Sequence, residues 1–506
     1  MILNILKKAS FAAILICAAL PAWSAQTFTT ISTFKCSTLE WPAPLIQGTD
    51  GNLYGTVYFP AQVFRLTTSG NRTMLHGFAG PDGEYPWAGL VEGADGNFYG
   101  TTSAGGLNDG GTIFRITPVG DLTTLFNFDY GVSGANPIGA LVQGLDGAFY
   151  GTAEGGPTES GTQFKITSTG AFTLLNDAYE PNTGLILGFD GDLYGGSGGI
   201  FKMTPQGVIT NLDYFTNLQG SDLNTPVQAP DGDFYGTAYA GGANSCGTIF
   251  KVSPTGAITT LNTLSCDDGF ASPLIRATDG NFYGTSTGGS HIFRVTPAGE
   301  LTTLYVTPTG EDGFSPSEAL VQHTDGQFYG IGKFSDGEVC SVYSFSVGLA
   351  PFVKTLPPAA PAGTIISILG TDLTGATSVT FNGIPAAFTV VSASLITATI
   401  PDGATTGNIE VTTPGATLVS NAPFRVLPVI GSFAPNSGPA GTVLVITGDS
   451  FTGATSVSLG GVNAPNLTVN SDTQITATVP SGASTGRIYV TTRGGTAASA
   501  ANFIVN

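Results

Sequence analysis

Charge is scarce in this chain: 10% of its 506 residues are Asp, Glu, Lys or Arg, and Lys and Arg together number 16. No block of like charge occurs, which excludes the basic stripe that a nucleic-acid surface requires. Histidine occurs three times, as His76, His291 and His323, at unrelated positions. That scatter argues against a His-based metal or acid–base centre. No phosphate loop is present. The helix formers Glu, Lys, Gln and Met are sparse, whereas Gly accounts for 72 residues and Ser and Thr are abundant. Such a composition suits strands joined by tight turns. A chain of this length exceeds one core, so two to four domains are expected.

The one apolar run of note lies at 11–20, behind Lys7 and Lys8 and ahead of the small residues Ala22, Ser24 and Ala25. This order reads as a secretory signal over 1–25, cleaved after Ser24 or Ala25. The run is too short for a membrane anchor. Cys17 follows Ile16, where a lipoprotein signal wants a small residue, so lipidation is not expected. Without the leader, 35 acidic residues face 14 basic ones, a net charge of −21. No second hydrophobic span appears, and the chain ends in Ile504-Val505-Asn506. The expectation is an exported, soluble, monomeric bacterial protein: secreted, periplasmic or at the cell surface, with no membrane insertion of the mature chain.

What the sequence does have is repetition. The phrase Asp-Gly-x-[Leu/Phe]-Tyr-Gly begins at Asp50, Asp95, Asp146, Asp190, Asp231, Asp279 and Asp325, at steps of 41 to 51 residues. A supersecondary unit at this period signifies a β-propeller or solenoid. One unit reads as four strands: Leu90-Val91-Glu92-Gly93, the stretch 97–102 after the Asp95-Gly96 turn, 112–116 after a Gly-rich loop, and 122–125 after Pro118-Val119-Gly120. Four antiparallel strands with Asp-Gly and Pro-x-Gly turns make one blade. Seven phrases predict a seven-bladed propeller over 26–348.

The seventh unit lacks a fourth strand, and the stretch 28–34 (Phe-Thr-Thr-Ile-Ser-Thr-Phe) matches the fourth-strand phrase at 258–264. The N-terminal strand is therefore predicted as the outer edge of blade seven, closing the ring. Cys246 opens a third strand and Cys266 ends the fourth of the same blade. Cys340 and Cys36 occupy the matching places in blade seven. Disulfides Cys246–Cys266 and Cys36–Cys340 follow, and export makes both reasonable.

After Leu349 the phrase stops, and a 78-to-79-residue unit occurs twice: Pro361-Ala362-Gly363-Thr364 returns as Pro439-Ala440-Gly441-Thr442, and Thr374-Gly375-Ala376-Thr377 as Thr452-Gly453-Ala454-Thr455. Short alternating strands in modules of this size predict β-sandwiches over 349–427 and 428–506. The stretches 363–370 and 441–448, Gly-Thr-Ile-Ile-Ser-Ile-Leu-Gly and Gly-Thr-Val-Leu-Val-Ile-Thr-Gly, resemble IPT/TIG domains, an immunoglobulin-like family. That resemblance implies an extracellular spacer or adhesion role. The stretches 95–102 and 111–117 resemble the GloVer-type tandem repeat of bacterial exported proteins, over about 40–346. It implies export and repetition but no established activity. A looser similarity joins the Asp-Gly turn and Arg115-Ile116-Thr117-Pro118 to virginiamycin B lyase-like seven-bladed propellers. No matching catalytic His pattern is visible, so lyase activity is not carried over.

The seven Asp side chains belong to separate blades and read as turn formers rather than metal ligands. The seven Tyr of the second strands (Tyr54, Tyr99, Tyr150, Tyr194, Tyr235, Tyr283, Tyr329) read as packing between blades. Third-strand cations recur at Arg65, Arg115, Lys165, Lys202, Lys251 and Arg294, again a structural position, with Ser344 in its place in the seventh unit.

The connections from each fourth strand to the next first strand set carboxylates beside aromatics. They hold Glu40 and Trp41; Asp82, Glu84, Tyr85 and Trp87; Asp129 and Tyr130; Tyr179 and Glu180; Asp213, Tyr214 and Phe215; Asp267, Asp268 and Phe270; and Glu311, Asp312 and Phe314. Aromatic faces stack on sugar rings, and carboxylates accept hydroxyl hydrogen bonds or bind calcium. The competing structural reading makes the aromatics plugs over blade edges and the acids solvated.

The binding residues expected from this face are Trp41, Asp82, Glu84, Tyr85, Trp87, Tyr130, Tyr179, Tyr214, Asp267, Asp268, Phe270, Asp312 and Phe314. The leading expectation is a non-catalytic binding or adhesion protein for a surface carbohydrate or protein, needing no cofactor apart from optional calcium. Alternatives are a polysaccharide lyase or glycosidase using carboxylates of that face, and a purely structural surface protein.

Overall fold

Every letter of the repeated phrase has a local reason. In the computed structural model, Asp95 Oδ1 accepts the backbone N–H of Asn97 at 3.2 Å, and Oδ2 accepts the Tyr99 hydroxyl at 2.7 Å. Gly96 takes φ +76°, a left-handed conformation that favours glycine in this turn. A Cβ on Gly100 would stand 2.6 Å from Cζ of Phe114, so the second glycine makes room for the ring of the next strand. The tyrosine hydroxyl donates to the turn aspartate in all seven copies, at 2.7 to 3.1 Å.

The structure describes residues 26–36, 43–137, 139–158, 160–177, 183–266, 271–287, 290–307, 314–334 and 338–506, and these contain no helix. The leader expectation at 1–25 lies outside them. Between 27 and 346, seven antiparallel sheets are present among the described residues, each with one phrase. The second sheet shows the pattern: Val91–Glu92, Phe98–Thr102, Thr112–Ile116 and Leu122–Asn127 from inner to outer edge.

Buried clusters join each sheet to the next in chain order, and Tyr329, Ile331 and Val342 of the last pack on Leu45, Leu53 and Phe64 of the first. Across these joints the phrase tyrosine stacks on the next sheet: Tyr54 on Phe98 and Tyr99 on Phe149, both at 3.9 Å between ring centroids. Each such buried ring contributes roughly 1.5–3 kcal/mol. The outer edge of the last sheet is Thr27–Lys35, antiparallel to Val339–Ser346, with Phe34 opposite Cys340. The pairs Cys36–Cys340 and Cys246–Cys266 are bonded, with Cα atoms 5.7 and 5.1 Å apart.

The tail forms two sandwiches. In the first, Ile365–Leu369 and Leu395–Thr399 face Ser378–Phe381 and Ile409–Thr412 over a core that includes Ile366, Ile368, Val379 and Ile396. In the second, Val443–Asp449 and Gln474–Thr478 face Ser456–Leu459 and Gly486–Thr492 over Leu444, Ile446, Val457 and Ile475.

The first module is docked on the Asp-Gly side of the propeller. Ser394 Oγ donates to the Thr49 carbonyl at 3.0 Å, the Thr324 and Thr371 hydroxyls meet at 2.9 Å, and Arg276 donates to the Asn421 carbonyl at 3.3 Å. Lys354, Thr355 and Leu356 stand over the inner-strand residues Ile46, Leu90 and Val321, flanking a cleft of about 280 Å³. The tail thus covers the turn side, and among the described residues its contacts with the propeller lie on that side.

Candidate functional site

The opposite side of the propeller is built from the connections between sheets and the loops between second and third strands. These two elements are hydrogen-bonded together: Glu84 N donates to the Ala104 carbonyl at 2.7 Å, and Ser103 N to the Tyr85 carbonyl at 2.9 Å. Tyr85 takes φ +56°, a left-handed backbone that costs a non-glycine residue about 1–2 kcal/mol. That conformation carries its ring against Tyr58, stacked at 4.6 Å, while Trp87 meets Tyr58 edge-on at 5.6 Å. Trp87 remains 50% exposed and the neighbouring Phe59 57% exposed. Two sheets therefore contribute to one aromatic surface.

Carboxylates flank it. Asp82 accepts from Ala79 N at 2.9 Å and lies 2.7 Å from His76 Nε2, so its position is set locally. Glu84 is half-buried beside it. Further round the same side, Tyr130 is exposed and donates to Asn136 Oδ1 at 3.0 Å. Tyr214 is exposed at the end of an outer strand and accepts from Asn211 Nδ2 at 2.7 Å. Trp41, Tyr179, Asp267, Asp268, Phe270 and Asp312 lie outside the described residues.

Phe314 is a correction. It is 8% exposed, and its ring packs on Phe28, Phe334 and Tyr343 at 5.9, 5.3 and 5.5 Å. The N-terminal strand brings Phe28 over it, a burial that sequence distance conceals, and Phe314 belongs to the core.

Three aromatics were missed. Tyr58 and Tyr239 both stand four residues after the phrase tyrosine, at the end of a second strand, and Phe59 follows Tyr58. Aligning the units by their tyrosine would have shown that position to be free to vary, as Ser103, Glu154 and Lys333 do.

Three of the third-strand cations, Lys165, Lys202 and Lys251, hold the turns on the covered side. Lys165 meets Asp146 at 2.5 Å, Lys202 meets Asp190 and Asp192 at 2.7 and 2.8 Å, and Lys251 meets Asp233 at 2.5 Å. Burial pushes the Asp146 carboxyl up, but bonds from Lys165, Tyr150 and the Ala148 amide outweigh it and hold it below the usual carboxylate range. Among the described residues no group of three or more His, Cys, Asp or Glu is placed to hold a metal ion.

The seventh sheet departs from the others near its inner strand. Tyr343 replaces the third-strand phenylalanine, and its buried hydroxyl has no hydrogen-bond partner among the described residues. Burial pushes the Glu318 carboxyl up to about 8, with the charge of Lys333 offsetting part of the effect.

No curated protein matches the chain in sequence. Similar solved structures include a streptogramin B lyase, 15% identical over 64% of this chain and 98% of that chain, with a TM-score of 0.49. A virginiamycin B lyase from Staphylococcus aureus is 16% identical over 63% of this chain and 99% of that one (TM-score 0.48). A gluconolactonase from Xanthomonas campestris is 14% identical over 65% and 93% (TM-score 0.40). Likeness at this level carries no activity over. The chain belongs to the Gloeobacter/Verrucomicrobia repeat family, which matches residues 22–199 and 195–347, and it carries two IPT/TIG domains at 351–426 and 428–505.

Proposed function

We propose that the protein is a non-catalytic cell-surface binding protein whose propeller recognises a carbohydrate chain on the side opposite the tail. Propeller repeats joined to IPT/TIG domains fit a cell-surface protein, and two disulfides are consistent with an extracellular one. The observation that carries the reading is the Tyr58, Tyr85 and Trp87 cluster. Half-exposed aromatics forgo much of the burial energy that core rings gain, and here they gather on the side opposite the docked tail. Flat aromatic faces stack on sugar rings, while Glu84 accepts hydroxyl hydrogen bonds at their edge.

The test is a glycan array probed with the full-length chain, with and without calcium. Binding that Tyr58→Ala and Trp87→Ala both abolish supports the reading. An array with no response sinks it and moves the partner to a protein.

A further inference from the structure

A cavity of about 250 Å³ lies between the two tail modules, away from the propeller's aromatic surface. Asn382 and Thr405 line it from the first module, and Ser450, Asp472 and Arg493 from the second. Ser450 is 6% exposed, and its buried hydroxyl meets no hydrogen-bond partner. The matching position in the first module, Asp372, is exposed.

The other polar groups on the wall are held in place. Asp472 Oδ1 accepts the Thr452 amide at 3.0 Å, and Asn382 Nδ2 donates to Thr405 Oγ1 at 2.8 Å. The junction itself is tight: a Cβ on Gly494 would fall 1.8 Å from the Val426 carbonyl oxygen, so the modules meet backbone to backbone. The cavity is therefore shaped by a close contact between the two modules.

We propose that this cavity binds one neutral polyhydroxyl ring, a saccharide unit. An anion would face Asp472, and a cation would face Arg493. A neutral ring with neighbouring hydroxyls donates to the carboxylate and accepts from the guanidinium, satisfying both charges. The volume suits one ring rather than a chain. The tail then contributes a ligand site of its own, and the inference does not depend on the reading of the propeller.

The experiment is saturation-transfer NMR and calorimetry on the full-length chain with glucose, galactose, mannose and N-acetylglucosamine, with acetate and glycine as charged controls. At least one sugar is expected to bind the Trp87→Ala chain, and at least tenfold more weakly when Arg493→Ala or Asp472→Asn is added to it. Arg493 is an exposed residue, so its substitution leaves the fold intact, which an unchanged circular dichroism spectrum checks. No sugar response, a response that Arg493→Ala leaves unchanged, or binding of acetate or glycine in preference to sugars would each overturn the proposal. Loss of sugar binding in Trp87→Ala would instead assign the response to the propeller and overturn the tail site.

Discussion

Arg425 of the first tail module donates to the backbone carbonyl of Phe189 at 2.7 Å, joining residues 236 apart in the chain. The same guanidinium reaches the Gly188 carbonyl at 3.2 Å. The residue is 5% exposed, and burial pushes the guanidinium down to about 10. Removing it leaves two carbonyls without this donor and loosens the dock. Arg425→Met is expected to lower stability by about 2–3 kcal/mol. A lower urea midpoint and faster proteolysis between 346 and 352 would show it, and an unchanged midpoint would refute it.

Burial pushes the Glu92 carboxyl up to about 7 from an ordinary 4.5, against bonds from Thr49 and the charge of Lys354. Between those values the folded chain holds a proton that the unfolded chain has lost, so stability falls as pH rises through this window. Lys354, pushed down to about 8 by burial, has the opposite effect, and only above that pH. The unfolding free energy should therefore drop between pH 5 and pH 7, with Glu92 contributing on the order of 2 kcal/mol and Glu318, raised to about 8, adding to the same drop. Glu92→Gln should reduce that drop, and a wild-type stability that rises over the same range would contradict the assignment.

Cys36 and Cys340 close a loop of 304 residues and pin the N-terminal strand to the last sheet. Replacing both with Ser is expected to cost up to about 5 kcal/mol in the chain-entropy model. Hydrogen exchange should reveal early opening of Thr27–Lys35 in that variant, while Cys246→Ser/Cys266→Ser, which opens a loop of 20 residues, should leave this strand protected.

Within the phrase, Tyr99→Phe removes one hydrogen bond to a carboxylate and should cost about 1.5–3 kcal/mol. Gly100→Ala forces a methyl against Phe114 in a closed joint and should cost about as much, by overpacking. Thermal unfolding of the two variants checks both values.

Trp87→Ala is expected to lower stability by about 1 kcal/mol, less than the roughly 3–5 kcal/mol of a core Trp, since half of the ring is exposed. On the proposed function it should nevertheless weaken glycan binding at least tenfold. Equal losses of stability and binding would instead make the ring a structural plug.

The repeated phrase was enough to read the strands, the turns and the role of each aspartate, because Asp50 with Tyr54, or Asp95 with Tyr99, are contacts four residues apart. Fourth-strand similarity likewise disclosed the partnership of 28–34 with the last sheet, and the cysteines agreed. Local chemistry repeated seven times specifies local structure, and closure follows from counting strands. The tertiary structure alone decided which side of the propeller the tail covers. Arg425, Lys354 and Ser394 meet partners hundreds of residues away, and no periodic pattern marks such contacts. It also decided that Phe314 is core while Tyr58 is surface, since burial depends on whether Phe28 or a neighbouring loop covers a ring, and not on the residue's own type.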